Sequence, residues 1–433
     1  MKNVEDSRTV AITRRDNFGK RLLRRFGPGL ITGASDDDPS GIGTYTQAGA
    51  ALGYATLWTA VLTLPLMIVV QHTCAKVGMC SGRGLAAVLK KYYPRWILYP
   101  AVIALLIANT INVGADIAAI AAAINMFVPI PVAAMVLPIG IGIVLVQVYG
   151  SYRLIVKIFK WLTLTLFAYV IAAFLSHPNW SAVARATFIP QIAWNSAYIT
   201  TIVAILGTTI SPYLFFWQAD EEVEEEARVG RVRLAQRYGA TDKEIRNEKF
   251  DTIAGMLFCN VVFYFVILAA ASTLHVSGKT DVQSATEAAQ ALEPLAGKFA
   301  SVLFALGLIG SGLLAVPVLS GSAAYAVSEA FGWRAGLDEK PRQAKKFYAV
   351  IAAATIVGVA IDLIGINPIS ALFWTAVING VVAPPLLVVV LIVANDRRVM
   401  KQRTNRVFTN LVTGLAAAVM FAAAIAMFVA WRQ

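Results

Sequence analysis

Apolar residues along this chain gather into long runs separated by short polar connections. Each run approaches or exceeds the roughly 18 residues that mark a membrane-crossing helix. The pattern predicts eleven spans, at 27–51, 54–75, 97–127, 131–150, 154–175, 195–218, 252–273, 297–325, 347–364, 368–394 and 407–430. The third and eighth are long enough to tilt or to extend past the hydrocarbon. The polar, basic opening, 1–26, lacks an early apolar core, so no cleavable signal peptide is expected and the first span serves as its own insertion signal.

Two spans are interrupted. In the first, "GASDDDPSGIG" (33–43) sets Asp36, Asp37 and Asp38 beside Pro39, with Gly33, Gly41 and Gly43 around them. A carboxylate at mid-membrane costs at least ~2.5–3.5 kcal/mol. Successive residues turn by about 100°, so three adjacent acids cannot share one helix face. Pro39 lacks an N–H and clashes with the preceding turn. The plain alternative is a short loop outside the membrane. The flanks weaken it, because "FGPGLITGAS" and "GTYTQAGAALG" are each too short to span alone. Irregular backbone at membrane depth is tolerated only inside protein or beside a wet cavity. Five spans later, "VAILGTTISPYLFFWQADEE" repeats the interruption at Gly207, Thr208, Thr209, Ser211 and Pro212. Broken helices at matching positions of two five-span halves point to an inverted-repeat transporter with a midplane site. A carboxylate beside freed carbonyls is an oxygen-rich cation site.

Composition agrees: 58% of residues are hydrophobic and 14% charged, with a mean hydropathy of +0.66, against about 25% charged in soluble domains. The net charge of +12 does not imply a nucleic-acid partner, because the basic residues fall in alternate loops. Arg14, Arg15, Lys20, Arg21, Arg24 and Arg25 precede the first span. Further basic clusters follow spans two, six, eight and ten, whereas the intervening loops hold few, such as Arg185, Lys279 and Lys298. The N-terminus is therefore expected in the cytoplasm and the C-terminus outside. The run "ADEEVEEEARVGRVR" reads as a solvated helix extension with acids followed by bases, in preference to a cation antenna. "STLHVSGKTDVQSATEAAQALEP" reads as an outer surface loop with a short helix. Cys74, Cys80 and Cys259 lack metal-ligand spacing and read as small apolar fillers, with Cys80 in a cytoplasmic loop. His72, His177 and His275 are dispersed, and neither a catalytic triad nor a phosphate-binding Walker loop is present, so an enzyme is not expected.

"GPGLITGASDDDPSG" resembles the opening of NRAMP metal-ion transporters, which carry Asp-Pro-Gly-Asn in their first span. The resemblance implies an all-α, LeuT-like fold: two inverted five-helix repeats, about 27–175 and 195–394, within a transporter core at 27–406, and an additional helix at 407–433. Helices 1 and 6 are the broken ones. Asp38 and Pro39 match the family's Asp-Pro, but the Asn position becomes Gly41. In the sixth span the family has Ala-x-x-Met-Pro-His; "TTISPY" places Thr208 at the Ala, Ser211 at the Met and Tyr213 at the His. In the third span Asp116 is kept and a Glu becomes Ala119; in the tenth a metal-contacting Gln aligns with Ala376. The ninth span lacks the family's charged residues linked to proton passage.

With these departures the pattern resembles a prokaryotic branch of the family, the NRAMP-related magnesium transporters. A thioether favours softer ions, so Ser211 hardens the site. Losing Asn and Gln side chains leaves room for Mg²⁺, which binds through one or two carboxylates with several waters retained. The expected ligand is Asp38, directly or through one water, against a role as helix cap. Asp36 and Asp37 raise cation occupancy, form a second position, or cap the half-helix. The Thr208 carbonyl and the Ser211 hydroxyl, together with Gly41, line the ion's place, unless the hydroxyls only satisfy freed backbone groups. Asp116, Tyr213 and Asn379 are candidates for coupling or gating. Asp116 could instead pair with Asn112, and structural hydrogen bonding suits Asn379 better. Tyr149, Trp58 and Trp161 read as interface or packing aromatics.

The leading expectation is a transporter of divalent cations, Mg²⁺ first, working by alternating access without proton coupling in a prokaryotic inner membrane. Proton-coupled Mn²⁺ or Fe²⁺ uptake is the alternative, with the missing Met replaced from elsewhere in the chain. An amine-binding transporter of the same fold, and a non-transporting membrane sensor or scaffold with a degenerate site, are further readings. The partners expected are the cation and the lipid bilayer; no resident cofactor is expected, and the oligomeric state stays open.

Overall fold

Residues 27–150, 164–231 and 233–432 are described by the computed structural model. The basic opening at 1–26 and the first part of the fifth expected span, with Trp161, lie outside them. The described residues form helices and connections, with no strand among them.

Pro28 opens α1 (Pro28–Asp36), and Pro39 opens α2 (Pro39–Leu52). Proline suits a first helical position, where its missing N–H is not needed. Between them Asp37 and Asp38 leave helical geometry, and the Asp38 side chain caps α2. α3 (Trp58–Ser81), α4 (Leu85–Tyr92), α5 (Arg95–Asn125), α6 (Val132–Tyr149), α7 (Ala168–Leu175) and α8 (Trp180–Phe188) follow. The second break repeats the first: α9 (Ser196–Thr209) stops, Ile210 and Ser211 are non-helical, and Pro212 starts α10 (Pro212–Arg228). The chain ends with α11 (Asp242–Ala270), α12 (Ala300–Phe331), α13 (Lys345–Asp362), α14 (Pro368–Asn395) and α15 (Val407–Ala430).

Eight helices among the described residues are long and apolar enough to cross a membrane, counting Ser196–Arg228 as one. Of the other expected spans, the first is divided at Asp37–Asp38 and the fifth begins outside the described residues. The ninth, α13, carries Lys345, Lys346 and Asp362 within its 18 residues.

Burial places the breaks at the centre. The apolar window of Ser196–Arg228 is 94% buried, against 28% for α6, whose Leu137, Ile141 and Leu145 face outward. Outward apolar side chains suit a lipid surrounding. Close backbone approaches then hold the broken helices. A Cβ on Gly33 of α1 would fall 2.2 Å from the Gly255 carbonyl oxygen of α11. One on Gly207 of α9 would fall 2.2 Å from the Gly380 nitrogen of α14. Small residues let transmembrane backbones meet in this way.

Three expectations change. α3 continues to Ser81, so Cys80 is buried in a helix and not in a loop. The acid run does extend α10, but Asp220, Glu221, Glu222 and Glu226 are buried, not solvated. α10 packs between α3, α4, α12 and α14, so its acids meet protein on several sides. Arg228 lies 3.5 Å from Glu221 and 2.8 Å from Asp338, and Arg231 pairs with Glu226 (2.9 Å) and Glu244 (2.6 Å). The segment expected as an outer loop holds its short helix, Ala285–Ala289, but Val282, Ala288, Ala291 and Leu292 turn inward and cover the core.

Candidate functional site

The two breaks face each other. Asp38 Oδ1 accepts from the Gly41 N–H (2.6 Å) and the Ser40 hydroxyl (2.8 Å), and Oδ2 accepts from the Asn112 amide of α5 (3.0 Å). An Asp cap satisfies one of the orphan N–H groups at a helix start. Capping and ion contact are compatible, because a carboxylate has about four lone-pair sites. Asn112 therefore serves Asp38 and not Asp116. Neither Asp116 oxygen has a hydrogen-bond partner of normal geometry, although the Ser40 backbone N–H interacts with it.

Asp36 looks across to the second break and to α11. Its Oδ1 lies 3.4 Å from the Ser211 hydroxyl, and its Oδ2 lies 3.4 Å from the Cys259 thiol. The Ser211 hydroxyl is closer to the Thr208 carbonyl, at 2.8 Å, and also reaches that of Gly207 at 3.2 Å. Ser211 thus satisfies freed backbone, and its oxygen lone pairs remain to accept or ligate. Asp37 Oδ2 has no hydrogen-bond partner. Tyr213 spans the breaks by donating to the Ser35 carbonyl (3.1 Å), while Ser322 donates to the Tyr213 carbonyl (2.7 Å).

The room expected at Gly41 is filled in this conformation. A Cβ there would lie 3.1 Å from Thr208 Oγ1, 3.3 Å from Asp38 Oδ1 and 3.3 Å from the Tyr45 ring. The Gly41 N–H is a donor to Asp38, so that group repels a cation. Asp36, Asp37 and Asp38 are each at most 2% exposed, so this conformation is closed to both sides. Ala376 approaches Gly207, the neighbour of Thr208, which places the tenth expected span against the break. Asn379 is buried on the same helix, beside Gly380.

Four acids in one buried region repel one another strongly where the dielectric is low, and a cation relieves that repulsion. Among the described residues, no three His, Cys, Asp or Glu side chains converge to hold a metal alone. An ion here would complete its shell from hydroxyls, carbonyls and water, as a hard cation does.

Three neighbours of the site are absent from the sequence expectation for it. Cys259 carries no spacing signal, since its contact with Asp36 spans 223 positions. Asn112 precedes Asp116 by one helical turn, so spacing pairs it with that residue, whereas its amide reaches Asp38. Tyr45 had a signal, because Asp38, Gly41 and Tyr45 recur at helical spacing on one face; its ring packs on Phe263 at 4.6 Å.

The sequence pattern of the Nramp family, described as natural resistance-associated macrophage protein-like, matches residues 29–430. The chain belongs to that family. It is 25% identical over 407 residues to the divalent metal cation transporter MntH of Caldanaerobacter subterraneus subsp. tengcongensis, covering 92% of each chain. It is 31% identical over 314 residues to the protein of the same name from Pectobacterium carotovorum, covering 71% of this chain and 72% of that one. Among solved structures it superposes on a mutant manganese transporter of Eremococcus coleocola with a TM-score of 0.72 at 18% identity, covering 96% of this chain and 88% of that one. A nucleobase-cation-symport-1 family transporter in a closed conformation matches with a TM-score of 0.56 at 12% identity, covering 94% and 92%. For this Nramp-family chain the fold is the LeuT-like one that the sequence implied.

Proposed function

We propose that this chain carries divalent metal cations across a membrane by alternating access, with Mg²⁺ as the preferred cargo and without proton coupling. The observation that carries this reading is the approach of Asp36 to Ser211 across two facing helix breaks, with Asp38 capping α2 within the first of them. Relatives that it matches over most of its length are named as divalent metal cation transporters. The two breaks belong to inverted repeats at 27–175 and 195–394, whose relative motion opens the closed site to one side and then the other. The additional helix, 407–433, lies outside this pair. The inner membrane, with the N-terminus in the cytoplasm and the C-terminus outside, follows from the loop charges.

Mg²⁺ is favoured by the donor set: carboxylates and hydroxyls at the breaks, with Ser211 where a thioether stands in the family's motif. Absence of proton coupling is favoured by Tyr213 at the family's His position and Ala119 at its Glu position. Proton-coupled Mn²⁺ or Fe²⁺ transport is the second reading, and Cys259 favours it, because a thiol beside Asp36 returns sulfur to the site. The Ser211→Met variant tests the hardness argument in liposomes. Relative uptake of Mn²⁺ or Cd²⁺ over Mg²⁺ should rise about tenfold; an unchanged ratio places Ser211 away from the ion.

A further inference from the structure

Cys259 sits on α11, the helix that packs along α1 through the Gly33–Gly255 contact. Gly255 and Cys259 are one helical turn apart, so the backbone approach that brings α11 to α1 also sets the thiol at the end of α1. There the thiol donates to Asp36 Oδ2 at 3.4 Å and also reaches the Met256 carbonyl at 3.4 Å. Cys259 and Asp36 are each 2% exposed.

A second observation is independent of that contact. Asp37 is 1% exposed, and its Oδ2 has no hydrogen-bond partner. It follows Asp36 directly in the chain, at the non-helical end of α1. A buried carboxylate oxygen without a donor carries a desolvation penalty that a bound cation removes. Asp38 is different, since its oxygens already accept from Gly41, Ser40 and Asn112. The acids therefore divide into Asp38, whose oxygens are occupied by neighbours including Asn112 of α5, Asp36, which meets Cys259 of α11 and Ser211, and Asp37, whose Oδ2 has no partner.

We propose that Asp36 and Cys259 form a second cation position beside Asp38, with the unpartnered Asp37 adding negative charge next to it, and that its sulfur makes it selective for thiophilic divalent ions such as Cd²⁺. This deepens the transport reading and rests on it for the claim that ions reach the breaks. The Ser211 hydroxyl and water complete the shell. On binding, the ion replaces the S–H proton, a metal–sulfur bond forms, and the proton leaves to solvent. Soft ligands select soft metals, so a thiolate and a carboxylate separate Cd²⁺ from Mg²⁺ where oxygen donors alone do not. Cd²⁺ held at this position would compete with Mg²⁺ at the neighbouring Asp38.

The test uses the full chain, purified, with Cys74→Ala and Cys80→Ala so that Cys259 is the only thiol. CdCl₂ is titrated while the ultraviolet charge-transfer absorption of the cadmium–sulfur bond is followed. The expected result is a saturable band that MgCl₂ leaves absent. Cys259→Ser should abolish the band and weaken Cd²⁺ binding about tenfold or more. Asp36→Asn should weaken binding while the band survives at saturation. Cys259→Ala replaces the serine variant if that one fails to fold. If neither folds, protection of Cys259 from a methanethiosulfonate reagent by Cd²⁺ and not by Mg²⁺ gives the same answer. Absence of the band in the parent, equal Cd²⁺ affinity without Cys259, or no protection would each overturn the inference. Failure of the transport reading is separate: the band would form, yet no divalent ion would cross a liposome membrane.

Discussion

The Tyr213 hydroxyl, at the start of α10, donates to the Ser35 carbonyl, in the last turn of α1, across 3.1 Å. One side chain thus satisfies an orphan carbonyl of the first broken helix from the second. Both ends are buried, so no water substitutes when the bond is lost.

Tyr213→Phe removes that donor and little else. The buried carbonyl left behind costs about 1–3 kcal/mol. The expected outcome is a lower Tm in detergent together with altered flux, since the bond holds the two breaks against each other. Flux changed at an unchanged Tm would mean that Tyr213 acts on the ion itself.

Gly41 and Thr208 explain each other. The family's motifs place Asn and Ala where this chain has Gly and Thr. A Cβ on Gly41 would meet Thr208 Oγ1 at 3.1 Å, so the two exchanges are coupled sterically. Gly41→Asn alone should destabilise the fold by about 1–3 kcal/mol through overpacking. Gly41→Asn combined with Thr208→Ala should recover most of that loss. A thermal-denaturation double-mutant cycle measures the coupling; additive losses would contradict it.

At the far end of α10, Arg228 reaches the fully buried Glu221 at 3.5 Å and Asp338 at 2.8 Å. Arg228→Ala strands a buried carboxylate, a change that typically costs about 3–5 kcal/mol. Adding Glu221→Gln should restore part of the stability. Tm measurements on the two variants decide between this and a merely solvated helix, for which both changes would be near neutral.

Asp396 lies beyond the end of α14, where it accepts from Arg398 (2.6 Å) and from the Tyr93 hydroxyl (2.9 Å). The Arg398 hydrogen bond comes first among the causes that hold its carboxyl down to about 2. A depressed carboxyl contributes stability that is present above the unfolded value near 3.9 and lost as pH falls through the folded one. Asp396→Asn should therefore flatten the acid limb of the stability profile between about pH 4 and 2. An unchanged acid limb would remove Asp396 from the account.

The helical layout was legible because membrane spans are written in long apolar runs and because Pro39 and Pro212 mark both breaks. For Asp38 the side-chain geometry shows the helix cap that was the alternative to ion contact. What sequence spacing could not carry was contact between helices. Cys259 meets Asp36 only because Gly33 and Gly255 let two backbones touch. The acids of α10 read as solvated because charge in a run usually is; their burial depends on which helices surround α10. The space imagined around Gly41 was lost to Thr208 and Tyr45, which local sequence does not place there.

The central claim is that the paired breaks carry a hard divalent ion through Asp38 without protons. Asp38→Asn separates ion contact from capping. Asn is as good a cap as Asp, and when the Asn112 amide turns over, its Oδ1, which has no partner in the parent, can accept from the new amide. The direct measurement is uptake into liposomes loaded with a Mg²⁺ indicator and a pH dye, for the parent and for Asp38→Asn. The account predicts Mg²⁺ entering with no lumenal acidification in the parent, and flux lost at a nearly unchanged Tm in the variant. Mn²⁺-driven acidification with no Mg²⁺ signal in the parent, or parental Mg²⁺ flux in Asp38→Asn, would contradict it.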